Sequence, residues 1–154
     1  MQPIAKTFDE LTADELYAIL KARQDVFVVE QKCAYPDIDG KDRAAMHLWY
    51  GTQQHPVAAY CRVFPKQDEP GTMVIGRVLT VERGTGLGAV MLHEAVALAV
   101  RLDPQATQVW IEAQRYAAGF YGREGFWVTS EPFMDDGIEH VEMRLDLSDW
   151  ERRD

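Results

Sequence analysis

Between residues 83 and 89 the chain reads Arg83-Gly84-Thr85-Gly86-Leu87-Gly88-Ala89, three glycines at alternate positions ahead of an apolar helical stripe. Glycines remove side chains where an anion would sit, and the free amides at a helix N-terminus point along the positive end of its dipole. The chemistry this suits is a phosphate cradle, and the plain alternative is a tight strand-to-helix turn whose glycines serve packing. The loop also fits the looser dinucleotide pattern G-x-G-x-x-A, with Asp103 further along. Geometry opposes that reading, because Asp103 ends the helix instead of the strand after it, and hairpins precede the loop where a βαβ order is needed. A Walker-type loop is excluded, since no Gly-Lys-Ser/Thr follows.

Proton acceptance has three candidates. His140 begins the last strand beside Asp136, and an imidazole titrates in the useful range. Glu30 and Glu112 are rivals, each with a solvated or ion-paired carboxylate as the plain reading. His47 lies in an alternating strand and reads as structural, while His55 and His93 have no nearby ligand set, so no metal is expected. Cys33 and Cys61 are too few for a disulfide scaffold, lack a histidine placed to activate them, and read as small packing residues.

These residues need elements to hold them. Thr12-Ala13-Asp14-Glu15 is a capping box ahead of apolar positions 16, 19, 20 and 27, with Arg23 contributing only its stem, so a first helix is expected there. A polar stretch containing Tyr35, Pro36, Asp37, Asp39 and Gly40 follows as an irregular or short-helical connector. From Ala45 the period changes to alternation, giving a hairpin through Gly51–Pro56 into Val57–Phe64, and a third strand over Met73–Val81 whose Gly76 signals a bulge or a close approach. Gly86–Leu102 carries so wide an apolar stripe that its helix should be largely buried. A strand at Thr107–Glu112, a helix at Arg115–Glu124 closed by Gly125, and a final hairpin of Phe126–Thr129 with His140–Leu147 around Pro132–Gly137 complete the chain. A strand, helix, strand order makes one strand pair parallel through a right-handed crossover. The expected class is a mixed-sheet α/β domain spanning 1–154 as one unit.

The chain has 154 residues, 47% of them hydrophobic and 27% charged, which suits a folded domain and opposes a disordered one. Its 16 Lys and Arg against 25 Asp and Glu give a net charge of −9, which argues against nucleic acid or an anionic membrane as a general partner. With neither a leader-like start nor an unbroken apolar run, a cytoplasmic protein is expected. A sheet edge or the C-terminal strand offers a route to a homodimer, which no sequence feature decides.

Two segments converge on a known pattern. Arg83-x-x-Gly86-x-Gly88 resembles the acyl-CoA signature of the GNAT superfamily of N-acetyltransferases, and Gln114-x-x-Ala117-x-x-Phe120-Tyr121-x-x-x-Gly125-Phe126 is similar to a second motif of that family. Arg23 through Gln31, with Tyr35, Asp39, Asp42 and His47-Leu48, looks like its ElaA-like branch, as does Asp136-Gly137-Ile138-x-His140. Gln114 stands where the family commonly has Asn, and Val81-Glu82 joins strand to loop with fewer residues than in relatives.

The resemblance implies an acyl-CoA N-acyltransferase fold: a mixed, mostly antiparallel sheet with a central, splayed parallel strand pair, flanked by helices. It implies acetyl-CoA as co-substrate and an amine acceptor, either a small molecule or a peptide. Backbone amides from Gly84, Thr85, Gly86, Leu87, Gly88 and Ala89 would take the pyrophosphate with Arg83 nearby, and Val78, Leu79, Thr80 and Val81 would pair with the pantetheine arm, aided by Gln114. An amide near Thr80 would face the thioester carbonyl. Tyr121 resembles the family's general acid, with a buried core aromatic as the bland alternative. His140 is the candidate base, with a surface or capping histidine as the plain reading, and Glu30, Tyr35, Glu112 and Asp136 are the candidate acceptor contacts. A domain that binds CoA without turnover is the rival function, and a nucleotide-binding regulator a third.

Overall fold

The computed structural model describes residues 1–150, which form two compact units. The first comprises Met1–Arg62 with Arg77–Met91, and the second Val63–Gly76 with the chain from Leu92 onward.

In the first unit, β1 (Ile4–Thr7) pairs antiparallel with β2 (Met46–Tyr50), from Ile4 opposite Trp49 to Thr7 opposite Met46. The sequence reading has no strand at Ile4–Thr7. Only four residues long and mostly exposed, β1 carries no alternating pattern, and pairing with β2 alone makes it a strand. Helix α1 (Ala13–Arg23) starts where expected: Thr12 Oγ1 accepts from Glu15 N at 3.1 Å and Glu15 Oε1 accepts from Thr12 N at 2.9 Å, so the capping box is closed in both directions. The helix does not stop there. Gln24–Glu30 continues as a wide π-helical turn, with Gln31 N donating to Val26 O and Cys33 N to Val28 O five residues back. The β-branched run Val26, Val28 and Val29 crowds a tight helix, and such widened turns recur at functional sites.

The connector from Gln31 to Ala45 contains a 3₁₀ turn at Lys41–Ala44, as its composition suggested. The strand order in this unit is β1-β2-β3-β4, where β3 (Ala59–Pro65) and β4 (Thr72–Thr80) are the two strands that run on into the second unit. Ile19, Val26, Phe27, Trp49, Tyr60 and Leu79 form the unit's core, with Tyr35 and Val81 packed against it.

In the second unit, the first part of β4 pairs in parallel with β5 (Gln108–Gln114) over three positions, Thr72 to Val74 against Gln108 to Trp110. The parallel ladder ends there, while β5 goes on pairing antiparallel with β8 (Ile138–Asp146) as far as Gln114 opposite His140. β6 (Trp127–Val128) and β7 (Phe133–Asp135) also pair antiparallel with β8. Expecting Pro132–Gly137 to be only a connection is therefore corrected: it contains β7. Asp136 (φ 49°) and Gly137 (φ 77°) make a two-residue turn of the type that matches strand twist. Helix α2 (Leu87–Leu102) buries Met91, Leu92, Ala95, Val96, Leu98 and Ala99, the wide stripe seen in the sequence. After β5, a 3₁₀ turn at Arg115–Ala117 leads into the short helix α3 (Ala118–Gly122). Antiparallel pairs with one parallel pair give the mixed sheet expected, and no helix among the described residues is long and apolar enough to cross a membrane.

Candidate functional site

The loop between β4 and α2 is built around two left-handed residues, Gly84 at φ 78° and Gly86 at φ 81°. A side chain at either would be strained, and no heavy atom lies within 4 Å of where a Cβ would be, so both backbone positions face open space. Thr85 Oγ1 accepts from Leu87 N at 3.3 Å, and Val90 N donates to Gly86 O at the start of α2. Residues 82–86 are exposed and Leu87 and Gly88 half-buried. An exposed loop without side chains at positions 84 and 86, at the head of a sixteen-residue helix, fits the diphosphate of an acyl-CoA, the group the sequence resemblance implies.

Arg83 is engaged. Its Nη1 donates to the Thr80 carbonyl and its Nη2 sits 2.9 Å from Glu30 Oε1, an ion pair exposed by more than half on both sides. Three predicted residues, Glu30 from one stretch and Thr80 with Arg83 from another, thus meet in the first unit. Leu79 turns its side chain into the core, leaving its backbone as the contacting part, whereas Val78, Thr80 and Val81 are half-buried.

Tyr35 lies in a charged cluster that sequence reading did not anticipate. Its hydroxyl donates to Asp37 Oδ1 at 3.2 Å, the Arg77 guanidinium stacks 5.4 Å from its ring centroid, and burial pushes the phenol up to about 12. Arg23, expected to pack only its stem, is wholly buried, with Nε donating to Asp37 Oδ2 at 3.0 Å and Nη1 to Asp42 Oδ1 at 2.6 Å. Arg62 forks onto Asp39 at 2.8 and 2.6 Å and reaches Asp42 at 2.9 Å. Burial alone would raise the carboxyls of Asp39 and Asp42. The Arg62 hydrogen bonds to Asp39, and those of Arg23 and Arg62 to Asp42, overcome it and hold both below the usual carboxylate range. The available signal was a basic residue inside each apolar strand pattern, Arg62 and Arg77, beside an acidic connector.

His47 is fully buried, as its structural reading requires. Its Nε2 must donate to the Asp42 carbonyl at 2.9 Å, so Nδ1 accepts from the Tyr60 hydroxyl at 2.7 Å, and burial lowers its pKa. Cys33 and Cys61 are buried and neither is in a disulfide, and burial pushes the Cys61 thiol well up, away from nucleophilic use.

The remaining candidates belong to the second unit. Tyr121, on α3, is nine-tenths buried, edge-on to Phe120 at 5.1 Å and to Phe126 at 6.0 Å between ring centroids. Its carbonyl accepts from Glu124 N and Phe126 N, which fixes the turn into Gly125. Gln114 closes β5 and lies opposite His140 in the ladder. His140 Nδ1 donates to the Ile138 carbonyl at 2.8 Å, and its ring stacks on Phe133, so the neutral imidazole carries its lone pair on Nε2. Glu112 is exposed on β5, opposite Glu142, and Asp136 is exposed at the left-handed turn position.

Comparison with known proteins places the chain. The family model described as "Acetyltransferase (GNAT) domain" matches residues 11–147. A UPF0039 protein of Schizosaccharomyces pombe is 38% identical over 94% of this chain and 96% of its own length. Escherichia coli ElaA has a crystal structure that superposes with a TM-score of 0.86 at 31% identity, covering 94% of this chain and 99% of that one. An acyl-CoA N-acyltransferase from Pseudomonas aeruginosa gives a TM-score of 0.85 at 37% identity with the same coverage. With its acyl-CoA N-acyltransferase fold, its glycine loop at the head of α2 and relatives spanning nearly its whole length, the chain belongs to the GNAT acetyltransferase family, in the ElaA-like branch.

Proposed function

We propose that this acyltransferase moves an acetyl group from acetyl-CoA to a primary amine by direct attack, with both substrates bound at once. The observation that carries this reading is the open loop with left-handed Gly84 and Gly86 ahead of α2. Bound acetyl-CoA supplies the activated acyl group; the chain's residues do the rest. The amides of Gly84 to Ala89 bind the diphosphate, and Arg83 adds a fork once it leaves Glu30. The backbone of Val78 to Val81 pairs with the pantetheine amides as an added strand, with the Gln114 amide holding a further carbonyl. The Thr80 region offers an N–H to the carbonyl oxygen as negative charge builds there.

The acceptor must be neutral when it attacks. His140 Nε2, left as the lone-pair nitrogen by the Nδ1 bond to Ile138, takes its proton, and the Tyr121 hydroxyl returns one to the departing sulfur. Glu30, Tyr35, Glu112 and Asp136 supply acceptor contacts, and three carboxylates among them favour a cationic molecule.

The test is a screen of amines for thiol release from acetyl-CoA, alongside calorimetric titration with acetyl-CoA. Turnover on an amine supports the reading. Acetyl-CoA binding with no turnover on any amine would instead make this a CoA-binding sensor, and tighter binding of a nicotinamide nucleotide would remove the acyl-CoA reading.

A further inference from the structure

Arg77 sits in the middle of β4 with φ 53°, one of three non-glycine residues in the described chain with positive φ, and the only one of them inside a strand. A long L side chain is disfavoured in that region, so surrounding contacts must hold it there. They come from one place, the connector after α1. Arg77 Nε lies 2.8 Å from Asp37 Oδ1, close enough for an ion pair though not aligned as a hydrogen bond. Nη2 donates to the Asp37 carbonyl at 3.0 Å and approaches Asp39 Oδ2 at 3.3 Å, while the guanidinium lies over the Tyr35 ring.

Two other arginines, from α1 and β3, already bind the same connector. Arg23 binds Asp37 and Asp42, and Arg62 binds Asp39 and Asp42, so each of the three carboxylates keeps a partner without Arg77. Arg77 is therefore not needed for any of the three to have a partner, although its positive charge balances the third carboxylate. What it alone adds is a tie from the connector to a strained backbone position directly before Val78 to Val81, the segment to which the proposed function gives the pantetheine arm. Because a left-handed residue redirects a strand, the clamp sets the direction in which those four residues run.

We propose that Arg77 is a positioning residue of the acyl-transfer site: its clamp on Asp37, Asp39 and Tyr35 fixes the β4 segment that receives acyl-CoA to the connector that walls the acceptor. This rests on the acetyl-CoA reading, and the two can fail separately.

The test uses Arg77→Asn, which tolerates the left-handed conformation without reaching the connector, and Arg77→Lys, whose single ammonium keeps the charge but loses the fork. Two ligands are titrated: acetyl-CoA, and adenosine 3′-phosphate 5′-diphosphate, which lacks the pantetheine arm and needs only the glycine loop. Both variants should bind acetyl-CoA at least about tenfold more weakly while the fragment stays within about threefold of wild type. Amide hydrogen exchange reads the clamp without ligand, and residues 33–40 and 78–80 should exchange at least about tenfold faster in either variant. Unchanged exchange overturns the proposal, and so does faster exchange with the two ligands weakened equally, which would make Arg77 merely structural. A wild-type protein that binds no acetyl-CoA removes the proposed function and the ligand half of this inference, while the exchange result still decides whether the clamp exists.

Discussion

Glu30 Oε1 lies 2.9 Å from Arg83 Nη2, and the same guanidinium donates to the carbonyl of Thr80. One side chain thus covers a β4 carbonyl in the segment that the proposed function gives to pantetheine, while being held by a carboxylate from the π-helical turn. Glu30→Gln should release Arg83 for the diphosphate and tighten acetyl-CoA binding. Both partners are more than half exposed, so the pair is worth little in water and the gain should not exceed about fivefold. Titration at low and high salt checks it, because the difference between variant and wild type should shrink as salt screens the pair.

Tyr121→Phe keeps a ring in the slot between Phe120 and Phe126 and removes only the hydroxyl. With the tyrosine as general acid, turnover should fall about 10²- to 10⁴-fold while acetyl-CoA affinity holds. Loss of a single buried hydroxyl should cost folding stability about 0.5–1.5 kcal/mol. Full activity in a stable Phe variant would remove Tyr121 from the mechanism, and a large drop in melting temperature with activity would return it to the core.

Gly86→Val places a branched side chain at φ 81° in a loop where nothing blocks it. Its cost in the free protein is backbone strain of about 1–3 kcal/mol, confined to an exposed turn. Acetyl-CoA affinity should fall much further than stability, since the new methyl groups occupy the space the diphosphate would use. Equal small changes in both would leave the loop as a packing turn.

Acid should weaken the first unit in two steps. Burial lowers the pKa of His47 in the folded protein, so its stabilisation is complete above the ordinary histidine pKa of about 6.5 and is lost as pH falls toward the folded value. Protonating Nδ1 also takes away the acceptor for Tyr60. Asp39 and Asp42, held low by their arginines, give stability that persists to about pH 4 and is lost below it. Urea unfolding at pH 7.5 and 5.5 should show the first step, and His47→Gln should abolish it at an overall cost of about 1–3 kcal/mol from groups left unpaired. A wild-type protein equally stable at both pH values would contradict this account.

The features legible in the sequence are those whose causes lie within a few residues of one another. Thr12 and Glu15 cap each other across three positions, Gly84 and Gly86 take left-handed φ beside the residues they serve, and the stripe of α2 follows from its own period. The segment from Gln114 to Phe126 is local in the same sense. Tertiary structure alone decided the rest. Ile4–Thr7 becomes a strand because Met46–Tyr50 offers it an edge, and Arg23, Arg62 and Arg77 become one network because α1, β3 and β4 bring them to a connector 14 to 40 residues away in sequence. Arg83 finds Glu30 across 53 residues. Local propensity carries no information about such partners, since each depends on which chain segments close upon one another, and a charged residue in an apolar strand reads alike whether it is solvated or buried against a carboxylate.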